Sequence, residues 1–195
     1  IVDAEMRSGN GKKSDFKNSG RCVIPYIWNY TETSTSPMWS VCYQVVSRAN
    51  NVIDNLEGKE SSTVTTQDLN NLKAECLFIR AFSYFCNVLT YGQPYTYCVK
   101  SDKESLGVPY VEHTDPAGLP ARETNYEKIV RDLLEAESLI DPEYTRATVA
   151  DPAAVVSVYA IQALLSRVYL YMGEWQKAAD YASKVIVSGK FSLWN

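Results

Sequence analysis

Between Cys76 and Leu89 the sequence is apolar almost all the way round a helix. Such a helix cannot lie on a surface. Other elements must cover it on most sides. The rest of the chain supplies candidates. Apolar residues recur at Met38, Val41, Cys42, Val45, Val46, Ala49, Val52, Ile53 and Leu56, the three-four spacing of one helical face. Ser36 is placed to cap that helix, Pro37 suits its first turn and Gly58 suits its end. The covered helix itself is predicted over 66–91. Thr65 and Asp68 open it at capping-box spacing, and Gly92 and Pro94 close it.

Three more helices follow. One starts at Thr124, with Glu127 completing a capping box and Asp141-Pro142 ending it. Its inner face is Tyr126, Ile129, Val130, Leu133, Ala136 and Ile140. Asp151-Pro152 opens the next, which runs to Met172 and Gly173, and the last spans Glu174 to Ser188 before Gly189. The predicted spans are therefore near 38–57, 66–91, 124–140, 152–172 and 174–188. No segment alternates as a strand does, so the fold class is all-α. Residues 1–35 read as irregular. Residues 92–123 carry Pro94, Pro109, Pro116 and Pro120. Such a long connection is predicted to lie extended over the helices, anchored by Tyr95, Tyr97 and Tyr110. The whole reads as a single helical domain over 1–195: irregular 1–35, a helix pair 36–91, a long loop 92–123 and three helices over 124–189.

Charge and cysteines exclude several functions. A net charge of -4 and a pI near 5.1 leave no basic stripe to neutralise phosphates, so no nucleic-acid partner is expected. No apolar run is long enough to span a membrane. None of the five cysteines forms a C-x-x-C pair, and His113, the lone histidine, is far from any zinc pattern. No metal and no cofactor are expected. Cys42, Cys76 and Cys86 read as small buried hydrophobes.

Catalytic constellations fail one by one. Glu75 and Arg80 stand on the apolar helix and read as an ion pair that fixes helix contacts, and Arg167 is read likewise. Asp132, Glu135 and Glu137 do not share one face, so they read as a solvated acidic surface rather than a metal site. Nothing brings His113 to Ser166. No catalytic residue is assigned, and the chain is read as not an enzyme. Binding is a different matter. Sugars stack their C–H faces on aromatic rings, and this chain has 14 Tyr and 4 Trp. The helical tyrosines read as core. Phe16, Trp28 and Tyr30, with Tyr26 beside them, fall in the irregular segment and are the candidate ligand-binding residues.

The last two helices have a tetratricopeptide-like grammar: Leu165, Ser166, Tyr169, Gly173, Trp175 and Ala178. Small residues let two antiparallel helices approach, large ones fill the groove, and glycine makes the turn. Tyr169 and Trp175 are expected to pack at that turn. Lys190 replaces the proline usual in that repeat, and Gln162 a frequent Trp.

The order of segments is more specific than any one of them. Trp39, Tyr43 and Ala49-Asn50-Asn51-Val52-Ile53 come first, then the run from Ala74-Glu75 through Arg80-Ala81 to Tyr84-Phe85. Tyr91-Gly92, Gly107-Val108-Pro109-Tyr110, Arg122-Glu123-Thr124 and Ile129-Val130-Arg131-Asp132-Leu133 follow. Last come Arg167-Val168-Tyr169-Leu170-Tyr171 and Gly173-Glu174-Trp175. Over about residues 36–195 this order resembles the SusD/RagB family of outer-membrane lipoproteins. The resemblance implies a helical N-terminal scaffold of tetratricopeptide-like pairs, completed by a longer C-terminal part. It implies a surface protein that captures an oligosaccharide or other nutrient for a SusC-like TonB-dependent transporter. It also implies a lipid anchor and signal peptide that lie outside this sequence, and membrane attachment only through that anchor. The alternative is a tetratricopeptide-type protein-interaction scaffold with no small-molecule ligand. That reading needs regular repeats, and only one is recognisable.

Overall fold

Capping and periodicity give five α-helices among the residues that the computed structural model describes, which are 38–96, 107–114, 125–146 and 155–191. They are α1 Met38–Asp54, α2 Thr66–Tyr91, α3 Tyr126–Leu139, α4 Val158–Met172 and α5 Trp175–Val187. Beyond an isolated bridge at Pro109, the described residues form no β-structure, and the chain is all-α. Its contacts divide it into two compact units, Ile1–Pro37 and Met38–Asn195, and the five helices belong to the second.

Each helix runs antiparallel to the one before it. Met38 and Asn50 on α1 meet Thr90 and Arg80 on α2. Gln67, Arg80 and Phe85 on α2 then meet Leu139, Asp132 and Tyr126 on α3. Gln162 on α4 reaches Glu137 on α3, and Ser166 reaches Ala178 on α5. The core sits where α2 is enclosed: Leu77, Tyr84, Phe85 and Val88 pack with Ile129, Leu133, Ile161 and Leu165. The apolar girdle predicted for α2 is covered on most sides, but Ile79, Phe82 and Leu89 stay exposed along one stripe.

Several boundaries differ from the sequence reading. The capping box on α2 forms: the Asp68 amide donates to Thr65 Oγ1 at 3.1 Å, and the Thr65 amide donates to Asp68 Oδ2 at 2.8 Å. The one predicted for α3 rests on Thr124, outside the described residues. Helix α3 begins after Asn125, whose side chain is spent elsewhere. Helix α4 begins at Val158, capped by Ser157 Oγ accepting the Ala160 amide at 3.2 Å. Residues 155–157 are not helical, so the start predicted at Asp151-Pro152 is too early. Helix α1 ends at Asp54, short of Gly58. Gly173 does adopt the left-handed conformation, φ 77°, at the turn into α5. Gly92 does not; its φ is −96°. Glycine is needed there for space, because a Cβ would stand 2.7 Å from Val88 O.

The candidate binding site and its scaffold

One segment of the long connection, residues 107–114, is strapped across α1, α2 and α3 by polar side chains. The Tyr43 hydroxyl donates to Pro109 O at 2.6 Å, and Asn50 Nδ2 donates to Val111 O at 3.0 Å. The Val111 amide lies 2.6 Å from the Tyr84 hydroxyl, which lies 3.0 Å from Val111 O. Asn125 closes a two-bond ring with Val108, accepting its amide at 2.7 Å and donating to its carbonyl at 2.8 Å. Asp54 takes the far end, accepting the Thr114 amide at 2.8 Å, with His113 Nδ1 3.0 Å away. Extended backbone has no ladder of its own here, so side chains supply the partners that burial demands.

A buried ionic group holds the centre. Arg80 Nε donates to Asp132 Oδ2 at 2.7 Å, and its Nη1 donates to Asn50 Oδ1 at 3.0 Å and Glu112 O at 3.1 Å. The Tyr110 hydroxyl also donates to Asp132 Oδ2, at 2.7 Å, and the Tyr110 ring stacks on Tyr84 at 3.9 Å. Arg131 bridges Asp132 and Glu112, and Lys128 donates to Glu112 Oε2 at 3.0 Å. Burial pulls the Arg80 guanidinium down, but its bond to Asp132 outweighs that and raises it. Burial first, and the Asp132 carboxylate next, push the Tyr110 phenol well up. Every charge here is answered by another, so the cluster positions backbone and offers no free acid or base.

These contacts correct the sequence reading. Arg80 does not pair with Glu75; it pairs with Asp132, and Glu75 pairs with Arg146. Asp132 is not solvated but fully buried. Glu137 is half-buried and serves Gln162, Tyr181 and Lys184. Trp175 does not pack at the α4–α5 turn: it is 67% exposed, while Tyr169 is buried and stacks on Tyr181 at 5.7 Å. Cys76 is buried, whereas Cys42 and Cys86 are only half-buried. Ser166 donates to Ala178 O at 2.7 Å and His113 engages Asp54, so they form no nucleophile–base pair. Tyr95 and Tyr110 do anchor the long connection; Tyr97 lies outside the described residues.

The ligand candidates Phe16, Trp28 and Tyr30 also lie outside the described residues. Within them, sequence reasoning missed a hollow of about 580 Å³ beside α4 and the start of the α3–α4 connection. Tyr144, Tyr159 and Phe191 give it aromatic walls, and Glu143, Thr145 and Lys190 put polar groups at its edge. Tyr159 and Phe191 meet edge to face at 5.8 Å, and Arg146 Nε donates to the Tyr144 hydroxyl at 3.1 Å. Flat rings with a polar rim suit a sugar, whose C–H face and hydroxyls need both. Two of the three rings come from irregular or terminal segments, where periodicity carries no signal. Among the described residues no group of three His, Cys, Asp or Glu could hold a metal, and no helix is long and apolar enough to cross a membrane.

Comparison with known proteins gives this geometry a family. A SusD-like family model described as "Starch-binding associating with outer membrane" matches residues 7–170. A SusD-like protein of Formosa agariphila is 31% identical over 155 residues, covering 77% of this chain and 27% of its own length. A SusD superfamily structure from Bacteroides thetaiotaomicron superposes with a TM-score of 0.71 at 32% identity, over 94% of this chain and 39% of that one. Another, from Bacteroides vulgatus, gives 0.73 at 29%, over 91% and 40%. The chain spans about a quarter of the curated relative and two fifths of these structures. It belongs to the SusD-like family.

Proposed function

We propose, with membership of the SusD-like family as the premise, that the whole protein captures a glycan at the cell surface. It passes that glycan to a SusC-like TonB-dependent transporter in the outer membrane, and a lipid anchor outside this sequence holds it there. The observation that carries this reading is the family match over residues 7–170 of a 195-residue chain. The geometry supports it in two ways. The buried charges are fully spent on holding residues 107–114, which suits a rigid scaffold and not a catalyst. The ligand-facing chemistry then falls to aromatic rings: Trp28 and Tyr30, with Phe16, in the N-terminal part of the sequence, and Tyr144 and Tyr159 at the hollow.

Affinity electrophoresis of the full-length protein tests this, in gels containing dissolved polysaccharides of different linkage. Retardation by at least one polysaccharide, weakened by Trp28→Ala or Tyr159→Ala at unchanged melting temperature, supports the reading. Unretarded migration of the folded protein through the whole panel contradicts it. Release of reducing sugar, abolished by one point substitution, would contradict the non-catalytic part.

A further inference from the structure

Helix register brings two cysteines to the same level of the α1–α2 pair, Cys42 on α1 and Cys86 on α2. The register of the two helices is fixed along their length. The Thr90 hydroxyl donates to Met38 Sδ at 3.5 Å, the Trp39 and Tyr91 rings meet at 5.1 Å, and Asn50 meets Arg80 at the other end. One turn along α1 from Met38 is Cys42, and one turn back along α2 from Thr90 is Cys86. The Thr90 hydroxyl also lies 2.9 Å from Cys86 O, which places it directly over Cys86.

Packed helices lie about 8–10 Å apart axis to axis, with each Cα about 2.3 Å from its axis. Facing Cα atoms are then about 3.4–5.4 Å apart, a range that overlaps the span of about 4.4–6.8 Å that a disulfide bridges. Cys42 and Cys86 are both free and half-buried, within reach of a small oxidant. Burial pushes both thiols up, and Cys86 raises Cys42 a little further. Cys76 is buried on α2 more than two turns away from Cys86.

We propose that Cys42 and Cys86 are an oxidisable pair that closes into an intramolecular disulfide and ties α1 to α2. One thiolate attacks a small-molecule disulfide oxidant and releases one thiol. The other cysteine attacks the mixed disulfide and releases the second thiol. Two electrons and two protons pass from the cysteines to the oxidant, and one S–S bond is exchanged for another. A cell-surface location would expose the pair to an oxidising compartment; the chemistry itself does not rest on the glycan reading.

Oxidised glutathione is the probe. The folded chain with Cys22→Ser and Cys98→Ser is incubated with it, alkylated, and digested without reductant. The expected product is a cross-linked peptide pair holding Cys42 and Cys86, lighter by two hydrogens than the reduced peptides together. The melting temperature should rise by on the order of 10 °C and return when reductant is added. Separate glutathione adducts or alkylated thiols at both positions, with no cross-link, would overturn the proposal. So would a cross-linked chain that melts at the temperature of the reduced one. The unsubstituted chain gives the same mass readout if the double variant does not fold.

Discussion

Replacing Asp132 by Ala attacks the cluster at the one carboxylate on which three side chains converge. Asp132 is fully buried and Arg80 only 5% exposed. Arg131 can turn to water, since nearly half of its side chain is already exposed. Arg80 cannot. It would keep Asn50 and the Glu112 carbonyl but lose its counter-charge, and the Tyr110 hydroxyl would lose its acceptor. An unanswered buried charge costs about 3–5 kcal/mol, which sets the expected loss. Urea unfolding of the chain, followed by far-ultraviolet circular dichroism, reads it as a lowered midpoint at unchanged slope. The double variant Arg80→Met with Asp132→Leu should lose less than Asp132→Ala, because it leaves no stranded charge. A loss below about 1 kcal/mol for Asp132→Ala, or a double variant worse than the single one, would refute the reasoning.

Other substitutions separate packing from exposure. Trp175→Ala should cost the chain less than about 1 kcal/mol, because Trp175 is largely exposed, whereas Tyr169→Ala should cost about 3 kcal/mol or more; equal losses would put Trp175 in the core. Gly92→Ala should destabilise by about 1–3 kcal/mol, since its Cβ would overlap Val88 O, and an unchanged melting temperature would count against that close approach. Burial pushes the Glu112 carboxyl up, but Lys128 and Arg131 outweigh it and hold it below its ordinary value of 4.5. Its folded value being depressed, its stabilisation is fully present above that value and is lost as pH falls through the lower one. Wild-type unfolding midpoints should therefore fall more steeply below about pH 4.5 than those of Glu112→Gln, and parallel acid limbs would contradict this.

How far the sequence could be read follows from what each residue depends on. The α2 girdle, the Thr65–Asp68 cap and the Gly173 turn are local, and periodicity or spacing exposes them. Asp132 was misread because its acidic neighbours suggested a surface. Its place on the apolar stripe of Ile129, Leu133 and Ala136 was the signal that it is buried and paired. Its true partner, Arg80, is 52 residues away, and no local pattern names such a partner. Asn125 illustrates the same limit: it stands where a cap would be expected but spends its side chain on Val108. Trp175 fits the repeat grammar in position and not in burial, because the grammar records spacing and not what covers a face. The hollow drew on Tyr144 and Phe191, outside the helices, where neither period nor cap gives a clue.

The central claim is that this chain is the helical scaffold of a glycan-capturing protein and that ligand binding belongs to the whole. Titration calorimetry tests it most directly, with an oligosaccharide cut from whichever polysaccharide retards the full-length protein. The account predicts saturable micromolar binding by the full-length protein and weak or no binding by the 195-residue chain alone. Silence from the folded full-length protein would contradict glycan capture. Micromolar binding by the isolated chain would instead contradict the division of labour, and would place the site within these residues.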